Sequence, residues 1–338
     1  MLTEVPVPAD RFTPAIDGGA RRWVTEEDVA ELVSLPDAIT AIRSAYRRAA
    51  AGEIVAMPKT FASWDGGTMH AIGAATCSNG LAVAKTWTHT RGGATPLLIA
   101  WDVSTGELLA VVEAFTLGQL RTSAVSGAAT ALLAVEPCNA VAVIGSGKQA
   151  EGQVAAVAAV RNIGEIRVYS PTAEHRERFA ARVAERSLIP TRVVGSVGDT
   201  VDGADVIVTV TRATQPFLER PMLARRVHIN AVGAITPDRA EVGALIVASA
   251  RRVVADDVVA ARELSPREMS SAPHILSLAT LLASAEQLEG DGITIFKALG
   301  SGISDFAVAE LVIARAAAAG VGKPLPPYRR SQPTIWSS

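Results

Sequence analysis

The spacing of apolar and polar positions changes character three times along this chain. Between residues 23 and 51 apolar side chains recur at helical intervals, with Ile39, Ile42, Ala45 and Tyr46 along one face. Thr25 followed by Asp28 makes a capping-box start, and Pro36 opens a second helix. Residues 54–115 instead break into short runs at 54–56, 68–75, 81–88, 96–102 and 108–113, separated by Gly, Pro and a turn at Ser104-Thr-Gly106. That texture predicts a mostly antiparallel sheet. A helix over 117–133 follows, rich in Ala, Ser and Gly; side chains that small suit packing against another backbone, and Glu136-Pro137 ends it. From 140 to about 300, short β-branched strands (141–144, 165–169, 191–194, 206–210, 227–232 and 252–255) alternate with helices over about 149–160 and 173–187. This alternation predicts a doubly wound parallel sheet. The closing helix, 305–319, comes after that pattern has ended and is expected to return to the first unit.

At 338 residues the chain suffices for about two domains. A formal net charge of -2, with basic residues scattered, gives no case for nucleic acid or an anionic membrane surface. The most apolar stretch, 124–144, is interrupted by Ser126, Glu136 and Pro137 and does not read as a membrane span. Cys77 and Cys138 lack metal-ligand spacing and read as two buried thiols in a reducing compartment, so no metal site is expected. Glu4, Asp10 and three prolines within the first fourteen residues do not make a signal peptide. A cytoplasmic protein is expected.

The strand at 141–144 runs into Gly145-Ser-Gly-Lys-Gln-Ala150, a GxGxxA turn before a helix. Gly145 permits the tight turn, Gly147 lets backbone approach a pyrophosphate, and Ala150 allows close helix–strand packing, with the helix N-terminus turned to the phosphates. This is the pattern of a Rossmann-type dinucleotide-binding domain. The next strand ends in Ser170-Pro-Thr172, without the carboxylate that binds the ribose hydroxyls of NAD. Small hydroxyls at Ser170 and Thr172 remove a repulsion against a 2′-phosphate, and Arg176 lies one helical turn on. The pattern favours NADPH over NADH; the competing reading makes Arg176 one charge of a solvated helix face. Thr209 is expected at the adenine or ribose edge.

Three cations in the first unit are candidates for binding a carboxylate. Lys59 follows Met57-Pro58, Lys85 interrupts the apolar run 81–85, and Arg121 lies early in the small-residue helix. A charge in such a setting is costly unless paired. Structural alternatives stand beside each: a surface lysine at 59, a strand-edge lysine reaching water at 85, and an ion pair of Arg121 with Glu113 or Glu107.

Lys85-Thr-x-x-x-Thr, Phe115-Thr-x-x-x-x-Arg-Thr-x-Ala-x-Ser, GSGKQA, Asn230-Ala-Val-Gly-Ala-Ile-Thr-Pro-Asp-Arg-Ala-Glu241 and Thr294-Ile-Phe-Lys-Ala-Leu-Gly300 with Asp305 follow in order over roughly residues 20–320. Together they resemble the ornithine cyclodeaminase/μ-crystallin family. The resemblance implies an α/β protein: a Rossmann-type sheet over 134–300 and an α+β substrate-binding and dimerisation domain over 1–133 and 301–338. It implies a homodimer binding NAD(P), with an amino or imino acid in the cleft. Lys85 and Arg121 correspond to the substrate-carboxylate cations, and Lys59 stands where many members have arginine. Thr122 and residues Gly145, Ser146, Gly147, Gln149 and Ala150 match nucleotide contacts, as does Val232, and Gly300 belongs to a loop near the nicotinamide.

One departure bears on the reaction. Where cyclodeaminases carry a Gly-Ala-Asp-Thr-Pro motif, with its aspartate beside the substrate amine, this chain has Gly233-Ala-Ile235-Thr-Pro237. Ile235 moves no proton and holds no ammonium, which disfavours ornithine or lysine cyclodeamination. Reducing a preformed C=N bond asks only for a bound carboxylate, a positioned hydride and a proton donor. The expectation is therefore an NAD(P)H-dependent reductase of a cyclic imino acid such as Δ1-pyrroline-2-carboxylate or Δ1-piperideine-2-carboxylate, yielding L-proline or L-pipecolate. Lys85 is the catalytic candidate; Lys59, Arg121 and Ile235 are the substrate contacts. An alanine- or arginine-type open-chain amino acid dehydrogenase and a non-catalytic, crystallin-like NADPH- and ligand-binding protein remain as alternatives.

Overall fold

The computed structural model describes residues 21–78, 80–284 and 291–336. The reading of Glu4 and Asp10 falls outside them. The chain opens with β1 (Arg22–Val24), α1 (Glu26–Leu32) and α2 (Leu35–Ala50). Thr25 and Asp28 form the expected capping box, and Ser34 with Asp37 repeats the device one helix later. Then come β2 (Ile54–Trp64), β3 (Gly67–Thr76), β4 (Leu81–Thr90), the short β5 (Gly93–Ala94), β6 (Leu97–Asp102), β7 (Leu108–Glu113) and α3 (Phe115–Leu133).

The second half runs β8 (Cys138–Ile144), α4 (Ala150–Ala158), β9 (Ile163–Tyr169), α5 (Ala173–Ser187), β10 (Thr191–Val193), α6 (Val197–Val201), β11 (Val206–Thr209) and β12 (Val227–Ala231). It continues through α7 (Ala244–Ser249), β13 (Arg252–Ala255), α8 (Val258–Leu264), α9 (Pro266–Met269), β14 (Leu276–Ser277), α10 (Leu278–Ala283) and β15 (Ile293–Lys297). Last are α11 (Gly302–Ala319) and β16 (Lys323–Pro324).

The first sheet has the order β16-β1-β7-β6-β4-β3-β2, with β5 on β4. Its pairs are antiparallel except β1 with β7. Helices α2, α3 and α11 bury their apolar positions in the core that this sheet contributes to, among them Ile42, Tyr46, Leu98, Val112, Leu117 and Phe306. The helix at the end of the chain thus rejoins the first unit. Strand β2 extends well past the expected 54–56, through Pro58. Proline is tolerated because β2 is an edge strand whose pairing slips between Met57 and Thr60, the mark of a bulge.

The second sheet is wholly parallel, in the order β10-β9-β8-β11-β12-β15-β13-β14. Strand order reverses direction between β8 and β11, so a crevice opens beyond their carboxyl ends. The sequence reading did not include β15 as a strand; it inserts between β12 and β13.

Helix α3 joins the two halves. Gly127 and Gly152 make the approach possible: a Cβ on Gly127 would fall 3.3 Å from Ala156 O of α4, and one on Gly152 would fall 2.3 Å from Ser123 Oγ of α3. Asn230 Nδ2 donates to Thr130 Oγ1 at 2.8 Å, and the ring of His228 bridges Thr294 and Asn230 beneath it. Burial pulls the His228 pKa down from 6.5 to about 3. Its folded value lies below the unfolded one, so neutral His228 contributes stability above pH 6.5 that is lost as pH falls toward 3. Urea unfolding should show roughly 2–3 kcal/mol of this loss between pH 7 and pH 4.5; a His228→Gln variant should show a flatter profile.

Of the two cysteines, Cys138 is buried and burial pushes its thiol up to about 11. Cys77 is a correction to the sequence reading: it is exposed, because the turn after β3 lies at the surface. No helix among the described residues is long and apolar enough to cross a membrane.

Candidate functional site

Two cations from separate elements pair with one buried carboxylate, Asp305 of α11, and a third cation lies near them. Lys85, on β4, donates from Nζ to Asp305 Oδ1 at 2.5 Å. Arg121 Nε, on α3, stands 3.4 Å from the same oxygen. The side chains of Lys85 and Asp305 are 4% and 0% exposed. Lys59, half-buried, joins them from β2: burial, and then the Arg121 charge, lower its pKa, while Asp256 and Asp305 oppose the shift. The β2 bulge accounts for this, since an extra residue in an edge strand re-aims the side chains beside it. Glu113 and Glu107, the alternative partners of Arg121, are engaged elsewhere, by Trp23 with the Glu26 amide and by Arg21.

The cluster lies against the carboxyl edge of the parallel sheet. Asp256, just past β13, accepts from the Leu299 and Gly300 amides at 2.8 Å each and so fixes the loop leaving β15. Gly300 has φ +90°, and a Cβ there would fall 2.9 Å from Arg121 Nη1. A glycine is thus required both by backbone conformation and by the guanidinium beside it. Along β4 from Lys85, Trp87 lies with its ring centroid 5.2 Å from Nζ, and His70 stacks on Trp87 at 4.8 Å.

The glycine turn borders the same crevice. Gly145 has φ +115° and no room for a side chain, since a Cβ would meet Val210 O at 2.6 Å. A Cβ on Gly147 would meet nothing within 4 Å, so space is open on that side of the turn. Gln149 is the N-cap of α4, and its buried Oε1 has no partner among the described residues. Lys148 Nζ sits 5.8 Å from the Phe115 ring, and Gln153 Nε2 donates to Thr122 O at 3.2 Å, tying α4 to α3. An open glycine turn followed by a helix N-terminus, with its free N–H donors, fits a dinucleotide pyrophosphate. At the end of β9, Ser146 Oγ donates to Ser170 Oγ at 3.1 Å, and Arg176 Nη1 donates to Ser170 O at 2.9 Å. Arg176 also lies over the Tyr169 ring at 5.8 Å, turned toward the strand end; Thr172 is the exposed N-cap of α5.

Other expected residues are placed differently. The Thr209 hydroxyl donates to Glu241 at 2.9 Å and is fully buried, so it is not presented to a ribose. Val232 packs into the first core, while Ile235 is half-buried against the core of the parallel sheet. Asp238 is exposed and accepts from Thr236, so it does not replace the missing aspartate. Glu241 also accepts from the Thr211 and Gly233 amides, and Glu268, paired with Lys297 at 2.5 Å, accepts from the Glu241 and Val242 amides. These buried ions brace the 233–242 loop. Sequence reasoning named Asp305 only within a motif and missed Asp256 altogether; an acidic residue in the first turn of an otherwise apolar helix was the available signal for the former.

The profile of the ornithine cyclodeaminase/mu-crystallin family matches residues 21–320. Over 232 residues, 66% of this chain and 71% of the relative, the sequence is 34% identical to the Delta(1)-pyrroline-2-carboxylate reductase of Bacillus cereus. It is 34% identical to the ketimine reductase mu-crystallin of Mus musculus over 64% of this chain and 67% of that one. Among solved structures, an archaeal alanine dehydrogenase dimer with bound NAD superposes with a TM-score of 0.84, at 27% identity, over 92% of this chain and 100% of that chain.

Proposed function

The chain belongs to the ornithine cyclodeaminase/mu-crystallin family, and from that premise we propose that it is an NAD(P)H-dependent reductase of a cyclic imino acid, Δ1-pyrroline-2-carboxylate or Δ1-piperideine-2-carboxylate. The observation that carries this reading is the convergence of Lys59, Lys85 and Arg121 beside Gly300, at the sheet edge that the glycine turn also borders. Ile235 in place of an aspartate supports reduction of a C=N bond over cyclodeamination, because the side chain offers the amine no charge.

In this reading residues 134–300 form the dinucleotide-binding domain, and 1–133 with 301–338 the substrate-binding and dimerisation domain. Arg121 and Lys59 hold the substrate carboxylate through charge-assisted hydrogen bonds. Lys85 holds a proton at Nζ for the imine nitrogen, so that C=N becomes CH–NH and the lysine recovers its proton from solvent. When bound, the nicotinamide supplies the hydride to the imine carbon. Residues 145–150 and Thr122 border its pyrophosphate. Val55, Met57, Phe61, Trp64 and Met69, all large and exposed on β2 and β3, support a homodimer built on this sheet.

The test is a spectrophotometric screen of NADPH and NADH against both ketimines and against 2-oxo acids with ammonia or methylamine. Oxidation with a ketimine is expected; its absence with both overturns the substrate assignment. Turnover confined to pyruvate with ammonia would favour the alanine dehydrogenase reading, which the likeness to the archaeal dimer supports. NADPH is the preferred cofactor because Arg176 stands at a β9 end that lacks a carboxylate. Arg176→Ala should raise KM for NADPH about 10-fold or more while leaving NADH within about 3-fold, since one charged hydrogen bond is worth about 1.5–3 kcal/mol. Equal effects on both cofactors would remove Arg176 from the 2′-phosphate site.

A further inference from the structure

The cluster contains one group that the reaction above leaves without a role. Asp305 is wholly buried, its Oδ1 accepts from Lys85 Nζ at 2.5 Å and lies in ion-pair range of Arg121 Nε at 3.4 Å, and its Oδ2 has no partner among the described residues. A bare buried lone pair is costly, so an oxygen left free beside two cations calls for an explanation. The fold takes trouble to bring this side chain in. Gly302 opens α11 directly on the backbone of Gly73 in β3, where a Cβ would stand 1.8 Å from Gly73 O. β3 is the neighbour of β4, with Ile72 opposite Lys85, so this contact sets the first turn of α11 beside the lysine.

We infer that Asp305 is a positioning residue: its Oδ1 fixes the Lys85 ammonium as proton donor to the imine nitrogen and leaves Arg121 and Lys59 as the pair that holds the substrate carboxylate. The inference rests on the imine-reductase reading for its kinetics. An ammonium has three donors on a rotatable bond; Asp305 occupies one and Trp87 lies 5.2 Å away, which limits where the others point.

The charged groups bearing on Lys85 are Asp305 from α11, Arg121 from α3 and Lys59 from β2. His70 of β3 stacks on Trp87, and Asp256 past β13 and Tyr46 of α2 complete the surroundings. Burial, the largest influence, pulls the Lys85 pKa down to about 8, Arg121 and Lys59 add to the fall, and Asp305 opposes it by charge and by hydrogen bond. Asp305 therefore keeps the lysine protonated near neutrality. The proton donor is present below pH 8 and lost as pH rises through it, and removing the Asp305 charge moves that loss to lower pH.

The experiment uses full-length Asp305→Asn, similar in size but uncharged. At pH 7 its kcat with the ketimine that the wild type reduces should fall about 100-fold, with KM for the imino acid changed less than about 3-fold. The alkaline limb of the kcat profile should move down by at least one pH unit, so that acid restores part of the rate. In parallel, 13Cε-lysine NMR, with Lys85 assigned by Lys85→Arg, should show the same downward shift without any substrate. If the Asn variant does not fold, Asp305→Ser carries the same expectations. A lower kcat with an unmoved pH limb and an unmoved Lys85 titration overturns the inference and leaves Asp305 a structural ion. If the wild type reduces no imine, the reaction reading fails with the kinetic role built on it, while the NMR titration still decides whether Asp305 controls the ammonium.

Discussion

Lys85→Met should lower kcat for imine reduction at pH 7 by about 10²–10⁴-fold, the range that a positioned general acid contributes. Methionine keeps most of the length and packing of the lysine stem, so the loss reports the ammonium rather than a cavity. The imino acid KM should change far less if, as proposed, Arg121 and Lys59 are the residues that hold the carboxylate. A stability cost accompanies the substitution. Removing one partner of a buried ion pair leaves the other uncompensated, worth about 3–5 kcal/mol, and Arg121 at 3.4 Å from the Asp305 oxygen brings the cost to the lower end of that range. Circular dichroism at the assay temperature separates the two effects. A folded Lys85→Met enzyme within tenfold of wild-type kcat would take Lys85 out of proton transfer.

Gly302→Ala should be the most damaging single methyl group in the described chain for site geometry. Its Cβ would meet Gly73 O at 1.8 Å and Gly73 C at 2.5 Å, both backbone atoms of a strand held between two neighbours. Neither can turn aside as a side chain would, so α11 has to move off the sheet. Overpacking of this kind costs about 3 kcal/mol or more, a fall in Tm on the order of 10 °C. Moving α11 also carries Asp305 away from Lys85, and if Asp305 positions the proton donor as inferred, a misplacement of about 1 Å can cost on the order of 10²-fold in rate. Differential scanning calorimetry and kcat measured together check both. Wild-type values of each would mean that the helix has slack at this contact.

The candidate site was written unevenly in the sequence. Lys85 was legible because a charge inside the run 81–85 is anomalous wherever it occurs. Arg121 was legible for a similar reason, although its partner was not: Glu113 and Glu107 were near in sequence, while Asp305 is remote in sequence and reaches Arg121 only because α11 returns to the first sheet. Thr209 shows the opposite error. The end of a parallel strand is a sound place to look for a nucleotide contact, but a buried carboxylate from residue 241 claims that hydroxyl, and strand periodicity carries no record of it. Lys59 depended on a bulge, which a proline in an edge strand makes possible without dictating where the next side chain points.

Local chemistry alone determined the two textures of the chain, the capped first helices, the glycine turn between β8 and α4, and the absence of a carboxylate after β9. Each follows from steric or hydrogen-bonding preferences acting over a few residues. Only the tertiary structure decided that β15 lies between β12 and β13, that Asp256 pins the Gly300 loop, and that Lys85 and Arg121 share one carboxylate with Lys59 nearby. Such contacts join residues far apart in sequence, and their energy exists only after the chain has closed the intervening loops and excluded water from the charges it brings together.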